Sequence, residues 1–108
     1  MRMSAVDWIV PDWPAPARVC ALSTTRLGGV SPAPWDSLNL GTHVQDEPAR
    51  VAANRAILRA QLPTEPAWLN QVHGTKVVDA ATVTGTPDAD AAVTRTPGAV
   101  CVVMTADC

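Results

Sequence analysis

The chain has 108 residues, of which 47% are hydrophobic and 17% charged, and its formal net charge is -2. This length and apolar fraction are typical of a single globular domain rather than a disordered chain. The charges are scattered and form no basic run, which argues against a surface for nucleic acid or anionic membranes. The apolar stretch between Asp7 and Pro11 is too short for a signal peptide or a membrane span.

The cysteines Cys20, Cys101 and Cys108 form neither a paired framework nor a C-x-x-C zinc motif. An odd number of thiols without a secretion signal predicts a reduced, cytoplasmic protein. Four tryptophans are the only aromatic residues, so we expect aliphatic side chains and alanine to supply much of the core.

The first half of the chain combines extended segments with one helix. Prolines predict an irregular opening stretch, and alternation over residues 18–25 predicts a strand. A loop with Gly28 and Gly29 follows, where the backbone can adopt positive φ angles. Asp46 or a neighbour caps the predicted helix, which has Pro48 in its first turn and ends at Pro63.

The second half shows the period-two pattern of strands. We predict strands over residues 68–72, 75–81, 91–94 and 99–105, with His73 at the bend between the first two. The last run is apolar on both faces, which is typical of a strand covered on both sides of a sheet. One helix followed by several strands predicts the α+β class.

Two residues suggest a reactive site. His73 and Cys108 each follow a predicted strand, and together they can form a nucleophile with its base or two ligands of an open zinc site. We expect the two side chains to approach within about 3–4 Å if they share a zinc ion. The alternative is a structural cysteine and an unrelated histidine.

Other polar residues have two readings each. Arg26 beside the paired glycines is either an anion ligand or a solvated side chain at a turn. Asp88 and Asp90 are either a carboxylate pair on one side of a strand or turn and strand-end residues. Asp107 either orients a zinc-binding histidine or accepts backbone N–H groups, and His43 is a loop histidine.

Five segments in this order closely resemble the YfiH family, also called the polyphenol oxidase, laccase-domain or peptidoglycan editing factor family. The resemblance runs from Trp13 to Cys108 and rests on Ser23–Ser31 (STTRLGGVS), Ser37–Gly41 (SLNLG), Asn70–Gly74 (NQVHG), Asp88–Asp90 (DAD) and Met104–Cys108 (MTADC).

The resemblance implies a zinc site. In the family, zinc is bound by the histidine of a Q-V-H-G motif and the cysteine of an A-D-C motif, and the similar residues here are His73 and Cys108. The third ligand of the family is a histidine in a downstream H-A-G-W-R-G motif, which this chain lacks. His43 is not in the matching motif. The chain thus resembles the N-terminal part of one such domain over residues 1–108, and we expect it to be inactive alone.

The resemblance also implies a function and a fold. The function is zinc-dependent phosphorolysis of adenosine, inosine, guanosine or methylthioadenosine, with adenosine deamination. Purine nucleoside and phosphate would then be its partners, Arg26 the phosphate clamp and Asn39 a sugar or base contact. The fold is a layered α/β/β/α sandwich with mixed sheets, shared with cytotoxic necrotising factor deamidases.

Three alternatives remain open. In the first, Cys108 is the nucleophile of an amidohydrolase that edits peptidoglycan precursors, in analogy with those deamidases. The family's older label implies copper-dependent oxidation of phenols, but a copper cluster needs several histidines and this chain has two. The third alternative is a fragment without catalytic activity.

Overall fold

One helix and one pair of parallel strands are the regular elements of residues 8–105, the part of the chain that the computed structural model describes. The chain divides into two units, unit 1 (Met1–Gln61) and unit 2 (Leu62–Cys108). Unit 1 contains helix α1, Pro48–Arg59, and unit 2 contains strands β1, Val77–Asp79, and β2, Ala91–Val93. These elements confirm the predicted α+β class.

Helix α1 forms where the sequence predicts it, although it ends earlier than Pro63. Pro48 occupies its first turn, where a missing N–H costs no hydrogen bond. The N-cap residue is Glu47 rather than Asp46, and Ala60 caps the C-terminus. Val51 and Leu58 are buried together with Asn54, so the buried face of the helix carries one polar residue.

The strand predicted over residues 18–25 is wrong. Ser23 forms a single antiparallel bridge with Ile9, through two 2.8 Å hydrogen bonds, and the pairing does not continue. In this register Ala21 would face Pro11, which has no N–H to donate to a ladder. The proline-rich opening stretch therefore limits the pairing to one bridge.

The loop after this bridge packs tightly against the rest of unit 1. Gly28 has a φ of 96°, as the paired glycines predict. Gly29 is required for a different reason: a Cβ there would lie 2.5 Å from Leu38 Cα and 2.6 Å from Asn54 Oδ1. Gly29 thus permits a close approach between two parts of the loop and helix α1.

In unit 2, β1 and β2 pair in parallel, with Val77 opposite Ala91 and Asp79 opposite Val93. They are the cores of the strands predicted over residues 75–81 and 91–94. A turn follows β1 because Thr82 and Val83 both donate their N–H to Asp79 O. Trp68, Leu69 and Ala89 are the buried apolar residues of this unit.

The segment that leads into β2 bonds two parts of the preceding chain. Ala89 N donates to Asn70 O, and the adjacent Asp90 N donates to Lys76 O. Residues 71–75 therefore form a loop that leaves this segment after Asn70 and returns to it at Lys76.

Two other predicted strands are reduced to bridges. In place of the strand over 68–72, Ala67 pairs with Cys101 and Asn70 pairs with Asp88. The apolar run 99–105 forms only the Cys101 bridge, and the Val103 side chain is 58% exposed. Within residues 8–105 this run is therefore not covered on both faces. No helix of this part is long and apolar enough to cross a membrane.

Candidate functional site

His73 lies in the loop 71–75, between the contacts that Asn70 and Lys76 make with the segment leading into β2. Its side chain is exposed, and its backbone has a φ of 57°. The left-handed region is costly for a residue with a Cβ, and such conformations persist where surrounding contacts impose them. The sequence predicted a bend at this residue, and the structure shows how the bend is held.

The carboxylate of Asp90 holds the bend through three consecutive backbone N–H groups. Oδ1 accepts from Val72 N at 3.0 Å and from His73 N at 2.9 Å, and Oδ2 accepts from Gly74 N at 2.7 Å. These bonds lower the pKa of Asp90, that from Gly74 most. Asp90 is therefore a fixed acceptor beneath His73 rather than a free carboxylate.

Asp88 has a different environment from Asp90. Its Oδ1 accepts from Asn70 Nδ2 at 2.6 Å, and its backbone forms the parallel bridge with Asn70. The two carboxylates thus bind different parts of the segment 70–74. Both accept hydrogen bonds that hold this segment, as turn and strand-end residues do.

Gln71 connects the His73 loop with the segment that runs toward the C-terminus. Its Nε2 donates to Met104 O at 3.0 Å, and Met104 N donates to its Oε1 at 2.7 Å. The side-chain amide thus pairs with one residue of an extended segment as a neighbouring strand would. Sequence reasoning missed this pair, although Gln71 and Met104 both belong to the quoted motifs.

Cys108 and Asp107 lie outside the described residues, so the predicted approach of His73 to Cys108 stays a prediction. Within residues 8–105, no group of three His, Cys, Asp or Glu side chains could hold a metal ion. His73 is the one member of the predicted zinc pair in this range. Its exposed imidazole on an anchored backbone suits a metal ligand, because a ligand must be both accessible and oriented.

Cys20 and Cys101 are exposed free cysteines. Burial and the nearby charge of Asp79 raise the pKa of Cys101. A raised pKa disfavours the thiolate, which is the form that attacks substrates and binds metals.

Arg26 lies in unit 1 with its side chain largely exposed. Its Nε donates to Asp36 O at 2.8 Å, and its Nη2 lies 3.1 Å from Asp36 Oδ2. The Arg26 carbonyl in turn accepts from Leu38 N at 2.8 Å. Asp36 thus orients the guanidinium at the surface of the loop. The role of Arg26 as a phosphate clamp stays a prediction.

Asn39 uses its amide within the same loop. Its Nδ2 donates to Gly41 O and to Asp46 Oδ2, and its Oδ1 accepts from Gly41 N. Both N–H groups of the amide are therefore engaged, so a contact with substrate would use the remaining lone pair of Oδ1.

A buried polar network fixes this loop to helix α1, and sequence reasoning missed it. Asn54, fully buried, accepts from Val30 N at 2.8 Å and donates to Ser31 Oγ at 2.9 Å and Asn39 O at 2.8 Å. Ser31 Oγ donates to Asp46, which is also buried. The sequence contains one indication of this network, which is a single asparagine between Val51 and Leu58 on the apolar face of the helix.

The family model described as multi-copper polyphenol oxidoreductase laccase matches residues 20–108. The chain belongs to the YfiH family. It is 54% identical over 106 residues to the purine nucleoside phosphorylase YfiH of Escherichia coli, and 55% identical over 101 residues to the purine nucleoside phosphorylase PA4543 of Pseudomonas aeruginosa. These alignments cover 93% and 94% of the chain but 42% and 41% of the relatives.

A solved structure supports the family fold. The crystal structure of Neisseria meningitidis protein NMB0706 matches with a TM-score of 0.88 and 55% identity, over 94% of this chain and 43% of that one. The chain thus spans about two fifths of the length of the YfiH-family proteins it matches.

Proposed function

We propose that the chain forms part of a purine nucleoside phosphorylase that depends on zinc, cleaves adenosine, inosine, guanosine or methylthioadenosine, and deaminates adenosine. The observation that carries the proposal is the identity of 55% and 54% to two proteins named purine nucleoside phosphorylase. In phosphorolysis, phosphate attacks C1′ as the glycosidic bond to the purine breaks, and the products are the free base and ribose 1-phosphate.

His73 and Cys108 would hold the zinc ion, together with a histidine that this chain lacks. When bound, zinc supplies a Lewis acid that polarises water or a substrate oxygen. The anchored backbone of His73 supports this role, because Asp90 fixes the direction in which the exposed imidazole leaves the loop.

Arg26 would hold the phosphate. Its guanidinium is oriented from one side by Asp36, and a planar guanidinium can bind a phosphate through two parallel hydrogen bonds. Asn39 would contact the sugar or base through Oδ1. We further propose that the protein is cytoplasmic and has the layered α/β/β/α sandwich expected from the sequence.

The description of the family model favours a second function, the copper-dependent oxidation of phenols. A redox copper cluster requires several histidines, and the whole sequence of the chain has two. A single open zinc site therefore fits this part of the protein better.

The proposal is tested in a chimera in which residues 1–108 replace the matching segment of the E. coli relative. We expect bound zinc and phosphate-dependent release of hypoxanthine from inosine. His73→Ala and Cys108→Ala should abolish both, while His43→Ala, the matched control, should leave both unchanged. Release that does not depend on phosphate, or oxidation of phenols with bound copper, would contradict the proposal.

A further inference from the structure

We propose that Asp90 is a positioning residue for His73, and that its carboxylate sets the backbone from which the imidazole reaches a metal ion. The proposal rests on the zinc site proposed above. Asp90 makes no contact with substrate in this role. It acts through the loop 71–75, in which three consecutive N–H groups donate to this one side chain.

The geometry leaves Asp90 little freedom for another task. Oδ1 accepts two N–H groups and Oδ2 accepts the third, at distances between 2.7 and 3.0 Å. A carboxylate in such a setting is a poor proton donor, since all three contacts require acceptor oxygens. Charge-assisted bonds of this kind are roughly twice as strong as neutral ones.

The same bonds explain how His73 keeps its unusual backbone. A residue with a Cβ is disfavoured in the left-handed region, because its Cβ comes too close to the following carbonyl oxygen. The N–H of His73 itself and those of both its neighbours point at Asp90, so the carboxylate compensates this cost at the residue that bears it. Without Asp90, the loop loses the contact that selects this conformation.

Two substitutions at position 90 distinguish the positioning of the His73 backbone from the effect of a negative charge near it. In Asp90→Asn, the amide has one oxygen, and its NH2 group would face an N–H donor of the loop. Asp90→Glu keeps the negative charge but places the carboxylate one methylene farther from the backbone. Asp88→Asn is the matched control, because it removes a carboxylate charge two residues away in the sequence while Oδ1 can still accept from Asn70.

The experiment uses the chimera described under the proposed function, with Co²⁺ and Zn²⁺ as probes. Co²⁺ absorption reports a bound thiolate, competition with Zn²⁺ gives the affinity, and amide hydrogen exchange reports the N–H groups of residues 72–74. We expect both Asp90 variants to weaken metal binding by about tenfold, as loss of a residue that orients a ligand does. Both should also lose amide protection at residues 72–74, and Asp88→Asn should change neither readout.

The outcomes separate this proposal from the one it rests on. Unchanged metal affinity in both Asp90 variants overturns the positioning role and leaves the zinc site intact. Absence of a cobalt–thiolate band in the chimera with the unmodified segment overturns the zinc site and the positioning role together. Circular dichroism checks folding: if Asp90→Asn unfolds, Asp90→Glu decides, and unfolding of both variants overturns the proposal by making Asp90 a residue of the fold alone.

Discussion

Gln71 and Met104 form a reciprocal pair between residues that lie 33 positions apart in the sequence. The side-chain nitrogen of Gln71 donates to Met104 O at 3.0 Å, and its side-chain oxygen accepts from Met104 N at 2.7 Å. Because Gln71 precedes His73 by two residues, this pair ties the His73 loop to the segment that continues toward Cys108. The pair thus holds the His73 loop next to residue 104 within unit 2.

Gln71→Leu should therefore destabilise the chain. It keeps the size of the side chain but removes two hydrogen bonds, each worth about 0.5–1.5 kcal/mol, so we expect a loss of about 1–3 kcal/mol. Urea unfolding measures this loss. Gln61→Leu, which changes a half-buried glutamine in unit 1, should cost less than about 0.5 kcal/mol. Equal effects of the two substitutions would show that the Met104 pair contributes nothing.

Asn54→Leu should be among the most destabilising substitutions in unit 1. Leucine has a similar volume but leaves Val30 N and Asn39 O without their partner, and each unsatisfied buried group costs about 1–3 kcal/mol. Ala53→Ser, on the exposed side of the same helix, should change stability by less than about 0.5 kcal/mol. Thermal unfolding by circular dichroism compares them, and a stable Asn54→Leu variant would refute the structural role of the network.

The stability of the chain should depend on pH through Asp46. The hydroxyl of Ser31 is the largest cause that lowers its pKa, and Asn39, the N–H of Glu47 and the charge of Arg50 act in the same direction. A lowered pKa in the folded state stabilises the fold above the unfolded-state value, which is about 3.9, and this contribution is lost as pH falls through the folded value.

We therefore expect the stability difference between wild type and Asp46→Asn to shrink on acidification below about pH 4. Urea unfolding at a series of pH values measures it. Asp12→Asn, which removes an exposed carboxylate of unit 1, is the matched control for the loss of a charge. A difference that stays constant over this pH range would rule out a role for Asp46 ionisation.

Arg26→Lys should weaken the use of phosphate more than it weakens folding. Lysine keeps the positive charge but cannot form two parallel hydrogen bonds, so in the chimera we expect a higher KM for phosphate, about tenfold, with little change in the melting temperature. Arg18→Lys, an exposed arginine of the same unit, should leave the KM unchanged. Identical phosphate kinetics in the two variants would exclude Arg26 as the clamp.

Local features could be predicted from the sequence because they depend on neighbouring residues. The apolar spacing of Val51 and Leu58, with Pro48 in the first turn, was enough to place helix α1. The glycine pair predicted the positive φ of Gly28, and the bend at His73 was expected between two period-two runs. The five motifs in their order were enough to identify the family, which the family model and the relatives confirm.

The tertiary structure decided what depends on distant partners. Residues 18–25 have a strand pattern, but Pro11 opposite Ala21 stops the ladder, and no local pattern shows which segment a strand will face. Likewise, nothing near Asn54, Gln71 or Asp90 in the sequence reveals their partners, because those partners are mostly backbone groups that every residue carries. The sequence by itself determined the helix, the bend and the family. Only the folded chain determined which side chains hold the His73 loop and the Arg26 loop, since hydrogen bonds to backbone atoms are selected by three-dimensional proximity rather than by residue type.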